Sequence, residues 1–148
     1  MKSSLTLITI CLVFTAVTLS AQTTNQRLMT VNVPFAFSVE DHSLPEGKYM
    51  IFTVTPERSI RIVSSDGKHS AIVNTLPNYA NLPSENSRLV FHRYGDEYSL
   101  TQVWAAGQDV ARNPLSTKRA MEIASSGGKP QTFTVLALTD HRQRVCFN

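Results

Sequence analysis

The densest group of chemically capable side chains lies in residues 92–98, His-Arg-Tyr-Gly-Asp-Glu-Tyr. His92 could act as an acid, a base or a ligand if Asp96 or Glu97 oriented it. In an extended strand His92 and Tyr94 share one face. The alternative is structural: Tyr94 and Tyr98 form a cross-strand aromatic pair, and the Gly-Asp dipeptide between them makes the turn. We favour the structural interpretation, because a turn aspartate does not readily reach back two pleats to a histidine.

Trp104 is the only tryptophan and follows the same segment. It could plug the core, or it could offer an aromatic platform to a sugar or an apolar ligand at the open end of a sheet. We therefore take His92, Tyr94, Tyr98 and Trp104 as the candidate ligand-binding residues, and we predict no catalytic residue.

Other chemistry finds little support in the sequence. The four histidines, His42, His69, His92 and His141, lie in separate segments without zinc-site spacing. A Cys146–His141 nucleophile would lie on a C-terminal tail, whereas catalysis needs a fixed geometry. Neither a Gly-x-Ser-x-Gly elbow nor a complete phosphate loop occurs. We expect no metal site and no cofactor.

The first element that must position these residues is an alternating segment at residues 28–39. Apolar side chains there, aromatic ones included, recur at every second position, which indicates a half-buried strand. Pro34 cannot donate a hydrogen bond to a neighbouring strand, so the strand lies at an edge or bends. We expect the halves before and after Pro34 to pair with different neighbours.

Further strands are predicted at 49–55, 59–64 and 68–76, with an Asp66-Gly67 hairpin turn in which both residues have positive φ. Residues 77–87 are irregular and indicate a crossover, or alternatively a lid or binding loop. A second hairpin joins 88–94 to 98–104, with Leu100 and Trp104 on one face.

The C-terminal half adds one helix and one strand. Asn113-Pro114 is typical of a helix start, and residues 115–125 carry one apolar stripe. A last strand is predicted at 132–139. The sequence thus predicts an all-β fold, a compact antiparallel β-sandwich or small β-barrel of about seven strands with one short helix.

The N-terminal 21 residues have the pattern of a secretory signal peptide: Lys2, an apolar run from Leu5 to Leu19, and small residues before Gln22. We expect a flexible leader at 22–27, one β domain at 28–139 and a basic tail at 140–148. The apolar run is shorter than the roughly 20 residues of a membrane span. We expect the protein to be exported, periplasmic or extracellular, with neither a lipid anchor nor a membrane span in the mature chain.

Cys146 would be the sole thiol once the signal peptide, which contains Cys11, is removed. An intramolecular disulfide would then be impossible, so Cys146 is buried, free or paired between two chains. The formal net charge of +3 is small and spread along the chain, which argues against nucleic acid as a partner. Residues 141–144 are locally basic and indicate a solvated tail, or a contact with an anionic envelope polysaccharide or lipid.

Two stretches resemble a known group of proteins. The first runs from Val33-Pro34-Phe35 through Leu44-Pro45-Glu46-Gly47-Lys48-Tyr49, and the second covers residues 89–98 and leads into Gln102-Val103-Trp104. Over residues 28–125 the chain resembles small, uncharacterised exported β-proteins that are abundant in acidobacteria. The resemblance implies a Gram-negative envelope setting, and it transfers no activity and no functional residue.

These observations favour an exported, non-catalytic binding or scaffold protein. Its expected partner is an envelope polysaccharide, a small apolar ligand or another exported protein. The alternative is a small β-barrel carrier for an apolar or sugar ligand, since an eight-stranded barrel can hold one small molecule. That alternative depends on aromatic residues predicted to point inward: Phe35, Phe37, Phe91, Trp104 and Phe133. A hydrolase of envelope polymers is the least supported interpretation.

Overall fold

A computed structural model describes residues 25–116, 121–122, 125 and 129–138. The predicted signal peptide, the first half of the leader, the basic tail and Cys146 lie outside the described residues. Within the described residues, ten strands form one mixed sheet. They are β1 (Arg27–Val33), β2 (Phe37–Val39), β3 (His42–Leu44), β4 (Gly47–Thr55), β5 (Ser59–Ser64), β6 (Ser70–Tyr79), β7 (Arg88–Tyr94), β8 (Glu97–Trp104), β9 (Val110–Pro114) and β10 (Gln131–Leu136). Among the residues described, no helix has the length and apolar character needed to cross a membrane.

The strands follow the order β1-β4-β5-β6-β9-β8-β2-β3, and β7 lies between β8 and β10. Strand β6 links two parts of the sheet, because its first half pairs with β5 and its second half with β9. All pairs are antiparallel except β2 with β8, which is parallel. A single bridge joins Val31 to Ala137, and the Leu138 amide donates to the Thr30 carbonyl over 2.8 Å. The chain after β10 therefore lies beside β1.

The all-β prediction is confirmed, and the described residues form ten strands instead of about seven. The predicted long strand breaks at residues 34–36 into β1 and β2. As expected, its halves pair differently: β1 pairs with β4, whereas β2 pairs with β3 and β8. Strand β3 lies between the first two predicted strands, where no strand was predicted, and β9 was not predicted either.

The predicted helix start at Asn113-Pro114 is wrong. Asn113 pairs with Leu76 and Pro114 with Thr75, at the end of β9. A proline fits there because the last residue of a strand can do without an amide donor. Met121, Glu122 and Ser125 are helical, and the rest of the predicted helix after Ser116 lies outside the described residues.

Both predicted hairpins form, with turns that differ in detail. After β5 the turn extends to His69, and Gly67 has positive φ (73°) while Asp66 does not. The Asp66 carboxylate instead accepts hydrogen bonds from the Ser64 hydroxyl (2.6 Å) and the Lys68 amide (3.1 Å). The turn between β7 and β8 has two residues, and its first is Gly95 with φ of 61°. Glycine at that position suits a tight hairpin.

One hydrophobic cluster contains residues from both parts of the sheet. The Phe37 ring packs edge-on against Tyr49 (5.3 Å between centroids) and Phe91 (5.4 Å). The Tyr49 hydroxyl donates to the Pro45 carbonyl over 2.6 Å, which satisfies its polar end. Side chains fill this interior; the largest that are fully buried are Tyr49, Phe91, Ile51, Ile60, Ile62, Leu89, Val31, Val33, Val39, Val73 and Val103. We call the side of the sheet that faces them the inner face.

A β-bulge in β8 changes which side chains face inward. Phe91 pairs with Leu100 and Val90 with Gln102, so Thr101 is an extra residue without a direct partner. Such a residue shifts the alternation that follows it. Leu100 and Val103 belong to the core, and Trp104 lies on the outer face in a separate small cluster. The prediction that Leu100 and Trp104 share one face is therefore wrong.

Candidate functional site

A cleft of about 620 Å³ lies on the outer face of the sheet. The ends of β6 and β7, the middle of β8, the end of β9 and the segment after it form its walls. Its described lining residues are Leu76, Pro77, Asn78, His92, Tyr94, Ser99, Leu100, Thr101, Gln102, Asn113, Pro114, Leu115, Ser116 and Met121. We refer to this surface as the outer cleft.

His92 and Tyr94 lie in the outer cleft, on the same face of β7, as their spacing predicts. Their rings meet edge-on with centroids 6.4 Å apart. Both side chains are half-buried. Two of the four predicted site residues are thus brought together.

Asn113, one of the lining residues, has a side-chain oxygen whose hydrogen bonding is unusual. Its side-chain oxygen Oδ1 is buried and has no hydrogen-bond partner among the described residues. A buried acceptor without a donor costs free energy of about 1–3 kcal/mol, so such atoms are uncommon in folded proteins. Asn113 lines the cleft, while this oxygen itself has almost no accessible surface.

The rim of the outer cleft is apolar and exposed. Leu76 is 60% exposed, Leu115 45% and Met121 54%. These side chains surround the amides of Asn78, Gln102 and Asn113, so the surface combines apolar contact with directed hydrogen bonding. That combination is typical of small-molecule sites.

Tyr98 does not line the outer cleft. It stacks on Phe35 with centroids 3.9 Å apart and meets Phe133 edge-on at 5.3 Å. The guanidinium of Arg93 lies 5.5 Å from its ring. The predicted Tyr94–Tyr98 pair is also wrong, because the two-residue turn sets Tyr94 opposite Glu97 and Tyr98 opposite Arg93. Tyr98 is therefore a packing residue of the inner face.

Trp104 neither plugs the core nor offers a free platform. It is 8% exposed and packs with Val90 and Ala111 on the outer face. The Arg88 guanidinium lies 4.9 Å from its ring centroid. Its indole N–H donates to Gln102 Oε1 over 2.9 Å, and Gln102 lines the outer cleft. Trp104 is thus linked to the outer cleft through the side chain of Gln102.

The Asp96 carboxylate, one candidate for orienting His92, is bonded to Arg93 instead. Arg93 Nη2 lies 3.2 Å from Asp96 Oδ1, and Arg93 Nε donates to the Gly95 carbonyl over 2.6 Å. The described lining of the outer cleft holds no carboxylate and no second histidine. Within the part of the chain that the structure describes, no group of histidine, cysteine, aspartate and glutamate could hold a metal ion. The arrangement supports hydrogen bonding and apolar contact to a ligand.

The connection between β6 and β7 is fixed to its surroundings. The Ala80 amide donates to the Asp109 carbonyl (2.7 Å) and the Ser84 amide to the Gln108 carbonyl (2.8 Å). Gly107 returns a hydrogen bond to the Ser84 carbonyl over 2.8 Å. These bonds tie the connection to the β8–β9 loop, which argues against a lid.

The chain matches no known family model, no curated protein and no solved structure. Any assignment of the outer cleft therefore depends on its own chemistry. Sequence reasoning found His92 and Tyr94 and missed Asn113 and Gln102. Asn113 was interpreted as a helix cap, and the one signal for Gln102 was its polarity within a β-rich run.

Proposed function

We propose that this protein is an exported, non-catalytic binding protein of the bacterial envelope and that its ligand occupies the outer cleft. One observation carries the proposal: the side chains of Gln102 and Asn113 lie among exposed apolar residues in a cleft of about 620 Å³. A ligand hydroxyl group can exchange hydrogen bonds with such amides.

The lining favours an uncharged ligand that carries both hydroxyl groups and apolar faces. The amides of Gln102 and Asn113 can exchange hydrogen bonds with hydroxyl groups, while the Tyr94 ring and Leu76 offer apolar contact. No carboxylate, lysine or arginine lines the described cleft, so charge pairing contributes little there. A neutral saccharide of the envelope fits this chemistry best.

The proposed export agrees with this ligand. The N-terminal signal-peptide pattern and the resemblance to acidobacterial exported proteins favour a location where envelope polysaccharides occur. A scaffold role would use the same exposed apolar rim for another exported protein. The cleft favours a small ligand over a protein surface, because its amides lie among apolar side chains in a concave site.

We also propose that eight of the strands, β1-β4-β5-β6-β9-β8-β7-β10, close into a small barrel. The Val31–Ala137 bridge and the Leu138–Thr30 hydrogen bond support this closure. Barrel closure was the basis of the carrier alternative. The interior, however, is filled by buried rings such as Phe37 and Phe91, and Trp104 lies on the outer face. We therefore place the ligand outside.

The proposal can be tested by titrating neutral oligosaccharides, such as tetramers of glucose and of N-acetylglucosamine, into the purified protein. The Trp104 indole N–H resonance reports on the cleft, because its partner Gln102 lines it. We expect a saturable shift with at least one saccharide.

Asn113→Ala should weaken that binding about tenfold, as expected for one lost hydrogen bond to the ligand. Asn74→Ala is the matched control, since Asn74 is exposed on β6 and does not line the described cleft. Equal binding by both variants would contradict the proposal, as would an indole resonance that no saccharide moves.

A further inference from the structure

Two side-chain amides lie side by side in the outer cleft, where the pairing of β8 with β9 ends. Val103 opposite Arg112 is the last pair of the two strands, and Gln102 and Asn113 are the residues adjacent to that pair. Both of them line the cleft, so their side chains leave neighbouring strands on the same face. On its other side Asn113 pairs with Leu76 of β6, which is 60% exposed. The two amides therefore have an exposed apolar side chain beside them.

The indole ring of Trp104 fixes the orientation of the Gln102 amide. Its nitrogen Nε1 lies 2.9 Å from Gln102 Oε1. An indole N–H can only donate, so the amide atom that faces it is the oxygen. Trp104 is 8% exposed and packs with Val90 and Ala111, which holds the ring in place. Trp104 is thus a positioning residue that commits the oxygen of Gln102 and leaves its NH₂ group available.

Both amides present N–H donors to the cleft. Gln102 Nε2 has no hydrogen-bond partner among the described residues and keeps accessible surface. Asn113 Oδ1 has almost no accessible surface, whereas Asn113 Nδ2 is not buried and has no partner in the described part of the chain. The accessible end of each amide is therefore its NH₂ group. This part of the cleft is suited to a ligand group that accepts hydrogen bonds.

We propose that the outer cleft selects sugars that carry an N-acetyl group, whose carbonyl oxygen accepts hydrogen bonds from Gln102 and Asn113. A carbonyl oxygen has two lone pairs and can accept from both amides. The acetyl methyl group would then cover Leu76, which a hydroxyl group leaves exposed. A carboxylate would accept equally well, but no lysine or arginine lines the described cleft to offset its desolvation. This inference rests on the proposed saccharide site and names the sugar substituent that the site selects.

The test compares two tetramers with the same linkage, one of glucose and one of N-acetylglucosamine, which differ only in a hydroxyl or an acetamido group on each ring. Isothermal titration calorimetry with the purified protein measures both affinities. We expect the N-acetyl tetramer to bind about tenfold more tightly, as one further hydrogen bond and a buried methyl group would give. Equal affinities, or tighter binding of the glucose tetramer, would overturn the inference and leave the saccharide site standing. Binding of neither tetramer would overturn both proposals.

Gln102→Glu tests the donor itself. The new carboxylate can still accept from the Trp104 indole N–H, but it offers no N–H to a carbonyl group. Binding of the N-acetyl tetramer should therefore weaken about tenfold, and the preference over the glucose tetramer should disappear. Gln131→Glu is the matched control, because it makes the same charge change at an exposed residue of β10 outside the described cleft, and it should keep the preference. A preference that survives Gln102→Glu would overturn the inference.

Trp104→Phe tests the positioning role separately. Phenylalanine keeps an aromatic ring and lacks the N–H, so the Gln102 amide can turn its oxygen toward the cleft. The preference for the N-acetyl tetramer should fall about threefold, while the affinity for the glucose tetramer stays the same. An unchanged ratio of the two affinities would contradict this role of Trp104. If none of these variants folds, the ratio measured on the parent protein still decides whether the N-acetyl group is selected.

Discussion

Replacing Phe91 by alanine tests whether the interior is a packed core or a ligand chamber. Phe91 is fully buried, and its ring lies 5.2 Å from Phe35 and 5.4 Å from Phe37, both edge-on. Phe-to-Ala changes in cores cost about 3–5 kcal/mol, and each aromatic pair adds about 0.5–1.5 kcal/mol beyond buried area. With two such pairs lost, we expect the free energy of unfolding to fall by about 4–5 kcal/mol.

Urea unfolding followed by circular dichroism measures this loss as a lower midpoint with an unchanged slope. Phe52→Ala is the matched control, since Phe52 is half-buried on the outer face beneath Arg61, and it should cost about 1–2 kcal/mol. Phe91→Leu, which should cost about 1–2 kcal/mol, keeps the comparison possible if the alanine variant does not fold. If Phe91→Ala lowers the free energy of unfolding by less than about 2 kcal/mol, the interior is not a packed core, and the alternative of a barrel that carries a ligand inside is favoured.

Two further predictions concern ionisable side chains. The Ser64 hydroxyl, followed by the Lys68 amide, lowers the pKa of Asp66 below its ordinary value of 3.8, so ionised Asp66 stabilises the fold. The stability difference between the parent and Asp66→Asn should therefore be present at neutral pH and disappear as the pH falls below 3.8 in acid-unfolding experiments. Tyr49→Phe should cost about 1 kcal/mol at pH 7 through its lost hydrogen bond. Burial, and secondarily the charge of Asp66, raises the pKa of Tyr49 above 10.0, so this difference should shrink as the pH rises past that value, as measured by urea unfolding.

The elements that the sequence predicted well carry strong local signals. The bounds of β5 match because a β-branched run ends in an Asp-Gly turn, and the bend at Pro34 follows from its missing amide donor. Strand β9 was missed because four of its five residues are buried, which leaves no alternation, and because Asn113-Pro114 imitates a helix start. Pairing with β6 overrides that local preference.

The candidate site was predictable only in part. His92 and Tyr94 share a face by simple alternation, so their spacing was enough to predict that they lie side by side. The bulge at Thr101 changes the face of Trp104, and no sequence pattern signals a single extra residue in a strand. Asn113 joins the site because β9 lies beside β6 and β8, and this follows from long-range pairing instead of local sequence.

Native mass spectrometry of the protein purified from its own cells tests the central claim most directly, that a ligand occupies the outer cleft. We predict that the parent protein retains a neutral ligand and that Asn113→Ala, purified in parallel, retains much less. The Asn74→Ala control should behave as the parent does. A ligand held equally by the parent and by Asn113→Ala would contradict this account, and so would protein that carries no ligand in any form.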